Sequence, residues 1–214
     1  MPATTSDSDR ALRKLVDDIV AGNLTAVSRS LQRSPQLALA SFLEGATRQS
    51  AEHCFLDSIG RYIYSGDTAL HLAAAAYRED AVRKLIAAGA NVRARNRHGD
   101  EPLHYTAVGS PGASPWNPPA QVATIAALIE AGADPNAANK TGITPLHRAV
   151  RTRCAAAVRI LLECGADPDR KNKNGSTAKT LALHTTGRGG SGSPEAKSEQ
   201  AEILQIFGIK ASHQ

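Results

Sequence analysis

Apolar side chains recur along most of the chain at intervals of three and four residues, the period that places them on one face of an α-helix. From Arg10 this period runs to a break at Gly22-Asn23, and a second run stops before Pro35, because the residue before a proline disfavours the helical conformation. Residues 1–9 are polar, with nothing to bury, and are predicted to be disordered. Residues 10–34 are predicted to form a helix pair that caps the N-terminal end of the fold.

A longer pattern begins at Gly66 and repeats as a unit. Each unit has a polar turn, an alanine-rich first helix, and a second helix that closes on Gly-Ala-Asn or Gly-Ala-Asp. The second helices carry apolar residues at i, i+3 and i+4: Val82, Leu85 and Ile86; Ile125, Leu128 and Ile129; Val158, Leu161 and Leu162. Such a face can be covered only by the neighbouring unit. The pattern therefore predicts a row of stacked helix pairs.

Each unit opens on a variant of one motif. The variants are Gly66-Asp67-Thr68-Ala69-Leu70-His71, Gly99-Asp100-Glu101-Pro102-Leu103-His104, Gly142-Ile143-Thr144-Pro145-Leu146-His147 and the degenerate Gly175-Ser176-Thr177-Ala178-Lys179-Thr180. The glycines are 33, 43 and 33 residues apart. Thr-Pro-Leu-His at this spacing resembles the ankyrin repeat. The resemblance implies an all-α ankyrin-repeat solenoid of stacked helix–turn–helix units with short β-hairpin loops. It also implies a non-enzymatic protein-interaction module or scaffold.

The resemblance divides the chain into segments. We place repeats at residues 66–98, 99–141 and 142–174, a C-terminal capping repeat at 175–208, and a tail at 209–214. Inserted turns are expected between the two helices of a repeat at 109–119 and 187–194.

Residues 35–65 do not follow the repeat and are expected to be a helical insertion packed on the side of the array. Two apolar groups predict a short helix each: Leu37, Leu39, Phe42 and Leu43 in the first, and Phe55, Leu56, Ile59, Tyr62 and Ile63 in the second.

The family resemblance implies a structural role for the motif residues. Thr68 with His71, and Thr144 with His147, would tie the start of the first helix to the adjacent turn. Glu101 stands where the motif has threonine, so His104 is expected to lack its usual partner. A metal site is not expected, because these histidines should lie about 10 Å apart, the packing distance of helices.

Charge suggests where a partner would bind. The net charge is +5; Arg93, Arg95 and Arg97 contribute +3, Lys140 contributes +1 and residues 169–173 a net +2, while the rest of the chain sums to −1. The resemblance places these hairpin tips, and the exposed side of the first helices, on a concave binding surface. The candidate partner-binding residues are Arg95, Arg97, His98, Lys140, Arg148, Arg151, Lys171, Lys173 and Trp116. An acidic protein surface would suit this basic face.

Three alternatives stay open. The tips can be solvated charges on a purely structural adaptor unit. The chain can bind a nucleic-acid backbone, although the tips lack the aromatic residues that stack on bases. Trp116 can pin its proline-rich turn to the array or serve as an exposed interface anchor.

Other classes of function find no support in the sequence. It contains no recognisable catalytic motif, and no cofactor or metal is expected. Cys54, Cys154 and Cys164 show no disulfide pattern, the N-terminus has no signal-peptide character and no run spans a membrane, so we expect a cytoplasmic or nuclear monomer.

Overall fold

The computed structural model describes residues 7–47, 51–112, 116–183 and 193–209. Within them the chain forms a row of helix pairs. The helices are α1 (Asp7–Val20), α2 (Leu24–Arg33), α3 (Ala69–Ala75), α4 (Glu79–Ala87), α5 (Pro102–Thr106), α6 (Pro118–Glu130), α7 (Pro145–Arg151), α8 (Ala155–Glu163), α9 (Ala178–Leu183) and α10 (Pro194–Ile206). None of these described helices is long and apolar enough to cross a membrane.

The helices pack in two layers. One layer contains the first helix of each pair, and α1, α3, α5, α7 and α9 contact one another in that order. The other layer contains α2, α4, α6, α8 and α10 in the same sequence. Small side chains allow the helices of the first layer to approach closely: α3 is largely alanine, and every one of its residues is buried. The predicted all-α stack of helix pairs is confirmed.

A continuous apolar core runs between the layers. In the second-layer triplets, the first two members are fully buried, as for Val82 and Leu85, and the third is half-buried, as for Ile86. Leu70, Leu103 and Leu146, which hold the leucine position of the motif, are also inaccessible to solvent. The i, i+3, i+4 spacing therefore identified the buried face correctly.

Tight turns at the tips join each repeat to the next. In the first tip, Oδ1 of Asn96 accepts from the backbone N–H groups of His98 (2.9 Å) and Asp100 (3.1 Å). Asn139 and Asn172 form the equivalent pairs of bonds in the next two tips. These asparagine side chains therefore hold the turns.

The tips are also tied to each other. The N–H groups of Arg97, Lys140 and Lys173 donate to the carbonyl groups of Ser65, His98 and Thr141 in the preceding tip, at 2.8, 3.0 and 3.0 Å. Arg97, Lys140 and Lys173 each follow the turn asparagine directly, so they occupy equivalent positions in three successive repeats. We call these three residues the tip row.

Residues 35–65 differ from the predicted helical insertion. Its described part contains no α-helix, only 3-10 turns at Pro35–Ala38, Glu52–Cys54 and Asp57–Ile59 and an antiparallel strand pair, β1 (Phe55–Leu56) and β2 (Arg61–Tyr62). The second apolar group thus forms a hairpin rather than a helix. Gly60, between Ile59 and β2, adopts φ +59°, a left-handed conformation that ends the 3-10 turn and would interrupt a helix.

The same segment completes the row of tips. Phe42 exchanges backbone hydrogen bonds with Asp67 and Gly66 (both 2.8 Å), and Ala46 donates to the carbonyl of Ile63 at 2.8 Å. It therefore pairs with the first regular tip, as each later tip does with its predecessor.

At the N-terminus, α1 begins at Asp7, so residues 7–9 are helical where disorder was predicted. Residues 1–6, most of the predicted insert at 187–194 and most of the tail lie outside the described residues.

Candidate functional site: a basic groove on the tip side

The histidine of each motif bridges two consecutive repeats. In the first repeat, the N–H of Thr68 donates to Nδ1 of His71 at 3.1 Å, and Nε2 of His71 donates to the carbonyl of Asp100 in the next repeat at 3.1 Å. His147 forms the same two bonds, at 3.3 and 3.1 Å, with Thr144 and Ser176. Each histidine thus caps its own helix and links it to the following repeat.

Burial keeps these histidines neutral. It lowers the pKa of His71 and His147, and it lowers the pKa of His104 to about 4. Because Nδ1 accepts a hydrogen bond from an N–H, the single ring proton must lie on Nε2. Protonation of Nδ1 would break the cap, so these side chains are structural connectors.

His104 corrects one expectation. It keeps its partner although Glu101 replaces threonine, because the bond that matters comes from the backbone: the N–H of Glu101 donates to Nδ1 of His104 at 3.1 Å. Nε2 of His104 then bonds the carbonyl of Ile143 at 3.0 Å. The Glu101 side chain takes part in the capping box of this helix and also forms an ion pair with Arg95 at 2.9 Å.

The aspartates of the first two motifs anchor the following repeat. Asp67 is buried and accepts from Asn96 Nδ2 at 2.9 Å and from the Tyr105 hydroxyl at 2.8 Å. Asp100 is buried as well and accepts from Asn139 Nδ2 at 2.8 Å and from Arg148 Nη2 at 2.5 Å. Tyr105 and Arg148 hold equivalent places, four residues after the capping position, so one repeat reaches back with a phenol and the next with a guanidinium.

These tips and first helices form one wall of a groove of about 450 Å³, and the β1–β2 hairpin forms the other. We call it the basic groove. Its lining residues are Gly60, Arg61, Tyr62, Tyr64, Arg97, His98, Asp100, Tyr105, Val108, Asn139, Lys140, Thr141, Ile143, Arg148 and Arg151. Thus five of the predicted partner-binding residues, Arg97, His98, Lys140, Arg148 and Arg151, lie together.

One aromatic ring, that of Tyr64, packs against two basic side chains at one end of the basic groove. The guanidinium carbon of Arg97 lies 4.9 Å from the centre of the Tyr64 ring. His98 packs edge-on against the same ring, with centroids 4.8 Å apart. Nε of Arg97 donates to Nε2 of His98 at 3.2 Å, so Tyr64 and the two basic side chains form one cluster.

At the inner end, carbonyl and carboxylate oxygens hold two further arginines. Nη2 of Arg61 donates to the carbonyl of Val108 at 3.4 Å, and the Tyr77 hydroxyl donates to the same oxygen. Arg148 is fixed by Asp100. Its Nε is buried and has no acceptor within the described part of the chain. These contacts hold three half-buried arginines in place: Arg61, Arg97 and Arg148. By contrast, Lys140 and Arg151 are exposed at the rim of the groove.

The other predicted partner-binding residues lie outside the basic groove. Lys173 continues the tip row beyond Lys140, and Lys171 is exposed on the same tip. Arg95 faces away: it pairs with Glu101 and lines a smaller depression of about 190 Å³ with Leu39 and Thr68.

Trp116 is pinned to the array. It is half-buried against the core, and its Nε1 donates to Oε1 of Gln121 at 3.0 Å. Gln121 is fully buried and in turn donates to the carbonyl of Thr106 at the end of α5. Gly109 leaves the ring its space, since a Cβ there would lie 2.4 Å from Nε1 of Trp116.

Sequence reasoning missed the wall supplied by the β1–β2 hairpin. The sequence predicts Arg61, Tyr62 and Tyr64 to be parts of a helical insertion, and only tertiary packing brings them to the tips. Tyrosines at alternate positions, 62 and 64, were the available signal, since alternation is typical of a strand. They also correct the view that aromatic residues are absent from the basic surface.

Metal-ligating and thiol side chains were the remaining groups to place in the described ranges. No group of three or more His, Cys, Asp or Glu in the described ranges could hold a metal ion. The cysteines are free thiols, and burial raises the pKa of Cys154 to about 11, which leaves it protonated and unreactive.

Comparison with known families agrees with this architecture. A model of the ankyrin repeat matches residues 65–97, the pair α3 and α4, and a model of three ankyrin repeats matches residues 120–188. No curated protein matches the chain. The chain is an ankyrin-repeat protein, and the predicted resemblance is confirmed. Ankyrin repeats are generally protein–protein interaction modules and are typically non-enzymatic.

Proposed function

We propose that this ankyrin-repeat protein binds an acidic surface of another protein through the basic groove. One observation carries the proposal: among the described residues that line the groove are Arg61, Arg97, Lys140, Arg148 and Arg151 but only one carboxylate, Asp100. That carboxylate already bonds Arg148 and Asn139, so it leaves most of the positive charge uncompensated.

The other groove cations differ from Arg148 in their ion pairing. Within the described part of the chain, Arg61, Arg97, Lys140 and Arg151 form no ion pair. Like charges held in one groove repel each other, and the cost rises as they lose contact with water. An anionic partner relieves this repulsion, and the exposed rim charges of Lys140 and Arg151 would speed its approach.

We further propose that the binding surface extends from the groove along the tip row to Lys173 and Lys171. Arg95 and Trp116 fall outside this surface. The charge of Arg95 is compensated by Glu101, and Trp116 is engaged by Gln121. The proposal therefore omits Arg95 and Trp116 from the partner-binding residues that the sequence predicts.

A nucleic-acid strand is the second candidate, and the tyrosines favour it specifically. Tyr62 is 39% exposed and lies beside Tyr64, with ring centroids 6.4 Å apart. Aromatic rings next to cations are what single-stranded nucleic acids use for stacking. The experiment must therefore separate the two classes of partner.

A charge-reversal comparison tests the proposal. Three baits would be compared in lysate with and without nuclease. They are the wild-type chain, the groove variant Arg97→Glu/Lys140→Glu, and a matched control, Lys84→Glu/Lys197→Glu, in which two exposed second-layer lysines are reversed. We expect acidic proteins to be retained by wild type and control, to be lost from the groove variant, and to resist nuclease.

Two other results would overturn the proposal. Equal retention by both variants would show that the basic groove is solvated charge. Retention that disappears with nuclease would establish the nucleic-acid reading instead.

A further inference from the structure

We propose that the basic groove accepts a phosphorylated side chain of the partner protein, rather than carboxylates alone. This inference rests on the proposed function, because it names the anionic group that enters the same groove. Three features carry it: the kind of cations, the way they are held, and the size and lining of the space.

Arginines dominate the inner part of the groove. Arg61, Arg97 and Arg148 come from the insertion, a tip and a first helix, and they line a common space. A guanidinium presents a planar fork of N–H donors that matches phosphate oxygens, and such pairs form short, strong hydrogen bonds. A phosphate monoester carries a charge of about −1.5 to −2 and three acceptor oxygens, whereas a carboxylate carries −1. Three arginines that line one space, two of them without an ion pair in the described ranges, therefore favour the phosphate.

The arginines are held before any ligand arrives. Arg97 lies over Tyr64, Arg61 bonds the Val108 carbonyl and Arg148 bonds Asp100. Fixed donors lose little conformational entropy on binding, and half-burial strengthens their interaction with charge. This arrangement differs from mobile surface lysines, which would attract any anion weakly.

The groove is larger than a bare anion requires, and its lining contains aromatic and apolar side chains as well as cations. Its volume of about 450 Å³ lies in the range of roughly 300–1,000 Å³ that is usual for small-molecule sites. Tyr62, Val108 and Ile143 line it beside the cations, and a free phosphate would leave these surfaces uncovered. A phosphorylated side chain with its neighbouring peptide would cover both kinds of surface.

Labelled degenerate peptide libraries can test this with the intact protein. They carry a central phosphoserine, serine or glutamate, and fluorescence anisotropy measures binding at physiological salt. We expect the phosphoserine library to bind about tenfold more tightly than the glutamate library. Arg61→Gln and Arg97→Gln should each weaken binding by about tenfold, since each removes a charge-assisted hydrogen bond. Arg170→Gln, an exposed tip residue outside the groove, should have little effect.

The other outcomes overturn the inference in distinguishable ways. Equal affinity for glutamate and phosphoserine libraries, lost in Arg61→Gln and Arg97→Gln, would overturn the phosphate inference and leave the proposed acidic-surface function intact. Failure of both libraries to bind would count against both proposals. Inorganic phosphate that binds as tightly as the phosphopeptides would reduce the groove to a small-anion site. Lys140→Gln, at the exposed rim, should weaken phosphopeptide binding less than Arg61→Gln, and circular dichroism would show that each variant is folded.

Discussion

The two faces of the array treat positive charge differently. On the second-layer helices, two arginines pair with carboxylates of their own or the next repeat: Arg83 with Glu79 (2.8 Å) and Glu130 (3.1 Å), and Arg159 with Glu202 (2.6 Å). In the basic groove, by contrast, Arg97 is held by Tyr64 and Arg61 by a carbonyl group. The charge of these two second-layer arginines is neutralised within the fold, whereas Arg61 and Arg97 in the groove form no ion pair in the described ranges.

The difference teaches how a repeat protein can separate stability from binding. Exposed ion pairs between repeats contribute little each, about 0–1 kcal/mol, but they leave no net charge to attract a ligand. Aromatic and carbonyl contacts orient a cation without cancelling its charge. The groove therefore combines order with uncompensated charge.

The substitution with the largest expected effect on stability removes Asp100, the carboxylate described in the basic groove. Asp100→Ala would leave the Arg148 guanidinium half-buried without its ion pair and Asn139 Nδ2 without its acceptor. We expect the free energy of unfolding to fall by about 3 kcal/mol, because removing one partner strands the other. Glu130→Ala on the opposite face should cost less than about 0.5 kcal/mol. Urea denaturation measures both, and equal losses would mean that the two faces do not differ.

The histidine bridges beneath the groove should make stability depend on pH. Burial holds the pKa of His104 at about 4 in the folded chain, against about 6.5 when unfolded. The unfolded chain therefore binds the proton first as pH falls, and stability is lost between about pH 6.5 and pH 4, by up to about 3 kcal/mol for this residue. Buried carboxyl groups such as Asp67, whose pKa is raised by desolvation, act in the opposite direction.

A non-titrating variant isolates the contribution of His104. The free energy of unfolding of wild type should exceed that of His104→Gln, and this difference should shrink as the pH falls from about 6.5 to about 4. The substitution His53→Gln, at an exposed position, serves as the control. A stability difference that stays constant with pH would contradict the neutral, buried state of His104.

Tyr64 tests whether an aromatic ring substitutes for a carboxylate in the groove. Tyr64→Leu should reduce the free energy of unfolding by about 1 kcal/mol, through lost contacts with Arg97 and His98. In a double-mutant cycle with Arg97→Gln, we expect a coupling energy of about 0.5–1 kcal/mol. Additive effects of the two substitutions would show that the ring does not orient the guanidinium.

The repeat architecture could be predicted from the sequence because its determinants are local and recur. The spacing of Val82, Leu85 and Ile86 identifies a helix face, and the motif glycines identify the phase of the repeat. The expectation for His104 is wrong because it depends on the side chain of the capping residue, whereas the bond comes from the backbone N–H, which every residue but proline provides.

The groove was predictable only in part. Its tip cations share one motif position, so Arg97 and Lys140 could be placed together. The opposite wall depends on packing between segments that lie far apart in sequence, as for Arg61 and Val108, which are 47 residues apart. A short apolar run between such segments fits a helix or a strand equally well, and here tertiary pairing decides in favour of the hairpin.

The smallest expected effect gives the most direct comparison of the two faces. Lys140→Gln/Arg151→Gln and Arg83→Gln/Arg159→Gln lower the net charge equally, the first in the groove and the second on the opposite face. The groove variant should be as stable as wild type or more stable by about 0.3 kcal/mol, because it relieves repulsion between cations that have no carboxylate partner in the described ranges. The opposite variant should be less stable than wild type, because it loses the ion pairs of both arginines. Urea midpoints at low and high salt measure both, and the gap should narrow as salt screens the charges. If the groove variant is the less stable of the two, its cations serve the fold, and the case for a ligand there fails.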